Sequence, residues 1–306
     1  LKKNNINITT MRLVLGGGGL ACLLYIGAYE TLISRGVMDK VTEIYGVSAG
    51  SFLGLGMVLR ILPDEILNLF RENYPFNRDD LKMTNLITKY GFDSSYGTRR
   101  MIEKILEFKG LPKDAKMTDL ASYDIQFKVC VTNLSTYSKE LFTTKDDISI
   151  VDAVCASGTV PILFVPVCIK NEYYIDGGAL WHSFPVELLK GKEDLGFCCM
   201  TKPCREENMT FWNYVSRLMT VIMMSFAFNE VEQKHQQVIY FEDIGVKLVS
   251  YDQYTYEEYA NMFRVGRKYG EEYFEKQGND GSGHVQEILL DGGDTPNNDK
   301  RTTESS

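Results

Sequence analysis

The stretch Gly46-Val47-Ser48-Ala49-Gly50 constrains the fold of this chain more than any other. It follows Val41-Thr42-Glu43-Ile44-Tyr45 and leads into Ser51-Phe52-Leu53-Gly54-Leu55-Gly56-Met57-Val58-Leu59, so the local order is strand, tight turn, helix, with a serine at the turn. A serine so placed has its Oγ lifted clear of the sheet, and the start of the helix favours negative charge beside it. The flanking Gly46 and Gly50 relieve crowding in such a turn. Taken alone, the pattern fits a glycine-lined turn without chemistry as well, because glycine, serine and alanine are common residues.

The rest of the chain reads as alternating strands and helices. Met11-Arg12-Leu13-Val14-Leu15 is a short apolar strand ended by Gly16 to Gly19, and Leu20 to Arg35 has helical apolar spacing with Gly36 as its stop. Pro63-Asp64 opens a short helix through Arg71, and residues 73–95 are polar and irregular, a loop or lid over the site. An amphipathic helix is expected over Ser95 to Phe108, and a strand over Ile125 to Thr132 with its hairpin return at Leu141-Phe142-Thr143. Ile150 to Ser157 reads as helix, and Ile162 to Ile169 is an apolar run broken by Pro166. Glu172 to Ile175 is a strand delivering Asp176-Gly177-Gly178 at its carboxyl end, where open α/β sheets bind ligands. Beyond it come a loop and strand (Lys190 to Met200), a long helix (Phe211 to Gln237), a strand (Val246 to Tyr251) and a helix (Tyr254 to Lys276). The expected organisation is a flexible extension over 1–10, one large α/β domain over 11–277 and a polar tail over 278–306, disordered beyond Gly292.

Composition narrows the function classes. A formal net charge of -8 excludes nucleic acid as the main partner, since there is no basic excess to neutralise phosphates. The seven cysteines have no framework spacing and no Cys-x-x-Cys pair, so no metal is expected; Cys22, Cys130, Cys155 and Cys168 read as buried free thiols of a reducing compartment. The polar first ten residues show no signal peptide, and the apolar run Val221 to Phe228 is too short to span a bilayer. A cytoplasmic or peripheral membrane location is the expectation. Met219 to Phe228 is apolar around much of its helix, which favours core packing over a membrane-inserted face.

A strand, a glycine loop and a helix together suggest an anion site of backbone N–H groups. The loop is no dinucleotide fingerprint: Leu20, Ala21 and Cys22 follow Gly17-Gly18-Gly19 without the last glycine, and Asp39 and Glu43 are unsuitably placed. It lacks the Gly-Lys-Ser/Thr of a Walker loop. It fits better as an oxyanion hole beside Ser48, with a plain tight turn as the alternative. Ser48 needs a base, and Asp176 serves if burial raises its pKa; the alternative for Asp176 is a turn cap ahead of Gly177-Gly178. Of the three histidines, His235 lies on a charged helical face, His284 in a Gly/Ser-rich tail, and His182 only six residues past Asp176, so a Ser-His-Asp triad is disfavoured.

With these three elements in this order, the chain resembles the patatin-like phospholipase family. The likeness includes Tyr25-Ile26-Gly27-Ala28, Val131-Thr132-Asn133-Leu134 and Ala156-Ser157-Gly158-Thr159-Val160-Pro161, and runs from about Arg12 to Leu189. The resemblance implies an α/β fold, a three-layer α/β/α sandwich with a mostly parallel central sheet. It further implies an acyl-ester hydrolase of lipids with a Ser-Asp dyad, needing no metal or cofactor. Carried over, Ser48 is the nucleophile, Asp176 its base, and Gly17, Gly18 and Gly19 the oxyanion donors, with Gly46, Gly50, Gly177 and Gly178 supporting the motifs. The implied partner is membrane or micellar lipid in peripheral contact, with a protein activator of unknown kind as a further candidate.

Two departures stand out. The family's glycine loop continues with a lysine or arginine and another glycine, where this chain has Ala21 and Cys22. After Asp176-Gly177-Gly178 the family's asparagine before a proline is missing from Trp181-His182-Ser183-Phe184-Pro185. Loss of the cation keeps a second function in view, a catalytically weakened or inactive lipid-binding protein on the same fold. An esterase or acyltransferase acting on soluble substrates is a third.

Overall fold

A computed structural model describes residues 11–200, 235–242 and 249–279, together with 210, 211, 214, 215, 217–219 and 221. The expectations for the extension, for the tail beyond Asn279, for His284 and for Phe226 and Phe228 lie outside these residues.

The central sheet is built from β1 (Met11–Leu15), β2 (Val41–Val47), β4 (Gln126–Asn133), β5 (Ser138–Thr143), β7 (Val167–Ile169), β8 (Glu172–Asp176), β9 (Leu195–Met200) and β10 (Val238–Glu242). Its order is β10-β9-β1-β2-β4-β8-β7, with β5 also paired to β4. The pairings from β10 through β4 are parallel, whereas β5, β7 and β8 form antiparallel pairs. A separate two-stranded sheet joins β3 (Gly91–Asp93) to β6 (Ile162–Phe164).

Alternation along the strands sorts side chains to two unequal faces. Leu13, Leu15, Ile44, Val129 and Val131 enter the main core with α1 (Leu24–Ser34), α2 (Ala49–Val58), α3 (Pro63–Glu72), α5 (Tyr96–Phe108), α6 (Ile150–Ser157) and α8 (Tyr256–Asn279). Val14, Tyr45 and Cys198 point the other way and are covered by Phe184 and the segment through Leu189, with Trp181 over Val47 and Cys130. The result is three layers, thick on one side and thin on the other. The thin layer includes α7 (Gly178–Trp181).

Helix ends follow local chemistry. Pro63 opens α3, where the Leu62 N–H donates to Glu65 at 2.9 Å, and Gly36 takes the left-handed conformation (φ +65) after α1. The glycine loop does not pass straight into an α-helix: Gly19–Leu23 forms a 3-10 turn first.

Several expectations need correction. Residues 73–95 hold a 3-10 turn (Arg78–Asp80), the helix α4 (Met83–Lys89) and β3, and Pro75 and Phe76 are among the residues lining the cleft at Ser48. Helix does not continue to Gln237, because His235 to Gln237 turn directly into β10, a strand the sequence pattern concealed. Val249 to Tyr251 are not strand. Cys168 is exposed on β7, the alternating strand turning it outward, while Cys22, Cys130 and Cys155 are buried. Among the described residues, no helix is long and apolar enough to cross a membrane.

Candidate active site

Strand register brings the site together. Leu15 of β1 lies beside Gly46 of β2, so the residues that follow this pair, Gly16-Gly17 and Val47-Ser48, run side by side. Val47 is the last β2 residue paired to β4, opposite Cys130. With β5 occupying one edge of β4, the next position on the other edge, Val131, pairs with Asp176 of the antiparallel β8. β8 thus takes over the edge that β2 leaves, and the two carboxyl ends meet head-on. Asp176 arrives from the opposite direction to the usual ligand-binding ends of parallel strands.

Ser48 holds φ 52 and ψ −126, a conformation that L side chains rarely adopt. The turn is fixed from several sides. The Ser48 N–H donates to Ser157 Oγ at 2.9 Å, and Ser157 Oγ donates to the Cys130 carbonyl at 2.7 Å. Ser51 Oγ donates to the Ser48 carbonyl at 2.6 Å. Gly50 packs so closely that a Cβ there would overlap the Leu15 and Gly16 carbonyl groups, and one on Gly46 would overlap the Ser51 backbone.

The Ser48 Oγ donates to Asp176 Oδ2 at 2.6 Å. The other carboxylate oxygen, Oδ1, accepts the Gly178 N–H at 2.7 Å. Asp176 is fully buried. Burial pushes its carboxyl up from 3.8 to about 7, while the hydrogen bonds from Ser48 and Gly178 pull the other way. Its backbone is tied down as well: the Asp176 N–H donates to the Thr159 carbonyl at 2.9 Å and the Gly177 N–H to the Ser157 carbonyl at 3.2 Å. Direct serine–carboxylate contact leaves no place between them for an imidazole. His235 lies exposed ahead of β10.

The glycine loop adjoins the serine: a Cβ on Gly17 would lie 3.0 Å from the Ser48 Cβ. The Gly17 N–H is already engaged, donating to the Ser183 carbonyl at 2.7 Å, and the Gly16 N–H donates to the Phe197 carbonyl at 2.9 Å. Gly18 and Gly19, partly exposed at the start of the 3-10 turn, have amides with no hydrogen-bond partner among the described residues. Of the three expected donors, two are therefore open to a ligand in this conformation. Ala21 is buried in the same turn beside Leu20 and Leu23, so no cation stands there.

An apolar cleft opens at Ser48. Gly19, Leu20, Leu23, Phe52, Leu53, Phe70, Phe76, Val160, Phe164 and Val249 line it, and it encloses about 730 Å³ of empty space, part of it open to solvent. Ser48 and Gly19 line this cleft, with the buried Asp176 carboxyl behind the Ser48 hydroxyl and the Gly18 amide next to Gly19. Such a set can take a proton from the serine and hold an oxygen that becomes negative. Sequence reasoning missed Ser157, the Ser183 carbonyl and the Cys130 carbonyl. Ser157 stands in a segment quoted for its resemblance, but nothing local marks its hydroxyl as the brace of a turn 109 residues away.

A family model described as patatin-like phospholipase matches residues 13–190. A probable lipid hydrolase of Invertebrate iridescent virus 6 is 26% identical over 184 residues, 58% of this chain and 62% of that protein. An uncharacterised protein of Acanthamoeba polyphaga mimivirus is 24% identical over 185 residues, 58% of this chain and 60% of that protein. The matches span about three fifths of those viral relatives. Among solved structures, VipD from Legionella pneumophila shares the fold with a TM-score of 0.53 at 16% identity, covering 87% of this chain and 67% of VipD.

Proposed function

The chain belongs to the patatin-like phospholipase family, and from that premise we propose that it is a lipid acyl hydrolase working through Ser48 and Asp176. The observation that carries this reading is the 2.6 Å contact between Ser48 Oγ, which lines an apolar cleft, and the fully buried Asp176 carboxyl behind it.

In this mechanism the acyl chain of a phospholipid or lysophospholipid lies in the cleft with its ester carbonyl over Ser48. Asp176, ionised, takes the Ser48 proton as Oγ attacks, and the tetrahedral oxyanion is received by the Gly18 and Gly19 N–H groups. The start of α2 adds favourable potential at the same point. Collapse releases the alcohol, which takes the proton back from Asp176 and leaves the acyl group on Ser48. Water, activated by Asp176, then attacks the acyl-enzyme, freeing the fatty acid and restoring the serine. An environment that raises Asp176 to about 7 makes it a better proton acceptor than an ordinary carboxylate while leaving it substantially ionised at neutral pH. The proposed catalytic unit is a single hydrolase domain beginning at Met11.

The test is fatty-acid release from mixed phospholipid and lysophospholipid vesicles. The wild-type chain releases fatty acid and Ser48→Ala does not; absence of release by both refutes hydrolysis. The engaged Gly17 amide and the buried Ala21 favour one second reading, a lipid-binding protein of the same fold with weakened catalysis. It predicts lipid binding with turnover no faster than Ser48→Ala.

A further inference from the structure

The short helix α4 is built inside out. Its inward anchor is Asn85, 9% exposed, whose amide donates to the Phe92 carbonyl at 3.3 Å. Its outward stripe is Met83 and Ile87, spaced to lie on one face, with Ile87 74% exposed; Tyr90, also exposed, follows as the left-handed residue that ends the helix. A surface helix ordinarily does the reverse, burying the apolar stripe and exposing the polar one. A second stripe stands nearby. Tyr214, Leu218 and Val221 are exposed at helical spacing, while Val215 and Met219 beside them are buried.

Both stripes stand on elements that back onto the cleft wall. Strand β3 follows α4 directly, and its Asp93 pairs with Phe164, a cleft wall. Met219 packs with Val160, Leu163 and Phe164, while Leu218 beside it is exposed. Phe92 of β3 meets Phe211, at the start of the second stripe, edge to face with ring centroids 6.0 Å apart. Exposed lysines, Lys82 and Lys89, flank the α4 stripe at its two ends.

We propose that these two stripes form one docking face for a lipid surface, which sets the mouth of the cleft against the aggregate from which substrate is drawn. The inference rests on the lipid reading of the site. The place of the stripes behind the cleft wall argues for lipid over a second copy of the chain: a lipid surface docked on these stripes lies beside the cleft that would take an acyl chain from it. The lysines suit the phosphate layer, their stems lying along the apolar face with the ammonium groups at head-group level.

The test is flotation of the full chain with phosphatidylcholine–phosphatidylglycerol vesicles, using Ser48→Ala throughout so that docking is read without turnover. We expect Ser48→Ala to float and the added pair Ile87→Glu, Tyr90→Glu to weaken binding about tenfold or more, with Leu218→Glu acting in the same direction. In the chain retaining Ser48, the pair should leave hydrolysis of dissolved p-nitrophenyl butyrate unchanged, which also certifies folding. An Ile87→Trp variant should lose fluorescence to brominated lipid. Equal flotation of the pair, no flotation of Ser48→Ala, or a dimer dissolved by the pair without change in flotation overturns the proposal. Flotation that depends on the stripes, in a chain that hydrolyses no ester, leaves the docking face standing and removes the hydrolase reading instead.

Discussion

Replacing Asp176 by asparagine should stabilise the protein at pH 8 while abolishing its activity. The folded-state carboxyl lies at about 7 against its ordinary 3.8, a gap of roughly three pH units, with burial as the largest cause. Between those values the folded chain keeps a proton that the unfolded chain has released. This contribution to stability is therefore greatest below about pH 4, falls as pH rises towards 7, and stays lost above it. At about 1.4 kcal/mol per pH unit, the ionised Asp176 costs on the order of 4 kcal/mol at pH 8. Asparagine keeps the shape without the charge: its carbonyl can accept the Gly178 N–H and its amide can donate to Ser48 Oγ, which turns to accept. Urea unfolding at pH 5 and pH 8 measures the effect. The variant should exceed the wild type clearly at pH 8 and by much less at pH 5. Asp93, buried and raised to about 6, adds a slope of the same sign to both proteins and cancels in the difference. The rate of ester hydrolysis should drop about 10²–10⁴-fold with the base removed. A variant no more stable than the wild type at pH 8, or a difference independent of pH, would show that the buried Asp176 carboxyl is not raised in the folded chain.

Three further perturbations probe other parts of the site. Ser157→Ala strips the Ser48 amide and the Cys130 carbonyl of their partner; it should cost about 1–3 kcal/mol in urea unfolding and lower kcat more than it raises KM. Gly50→Ala drives a methyl into the Leu15 and Gly16 carbonyl groups, so a loss of about 1–3 kcal/mol should accompany a collapse in turnover. Val249→Trp narrows the cleft, and its kcat/KM for long-chain relative to short-chain esters should fall about tenfold; an unchanged chain-length profile would place the acyl chain elsewhere.

The fold was legible where chemistry is local. Gly46 and Gly50, the apolar Met11–Leu15 run and the Asp176-Gly177-Gly178 turn each announce a strand end through residues that tolerate close packing. Register is another matter. That β8 runs against β4 and meets β2 at Cys130 and Val131 follows from pairing across the sheet, which no window of sequence contains. The Gly17 amide is bonded to Ser183 for the same kind of reason: its partner lies in the segment after α7, far along the chain. Residues 73–95 looked irregular because α4 puts Asn85 inside and Met83 and Ile87 outside, defeating a periodicity that assumes the apolar face is buried. Strand β10 was hidden because the charged stretch ending at Gln237 prolonged a helical pattern into it.

In the proposed mechanism Ser48 becomes acylated. Incubation with a fluorophosphonate, followed by mass spectrometry of the digested chain, tests it most directly. One phosphonyl adduct is expected, on Ser48, abolished by Ser48→Ala and strongly slowed by Asp176→Asn. An unlabelled Ser48 in folded protein, or an adduct on another serine that persists in Ser48→Ala, would contradict it.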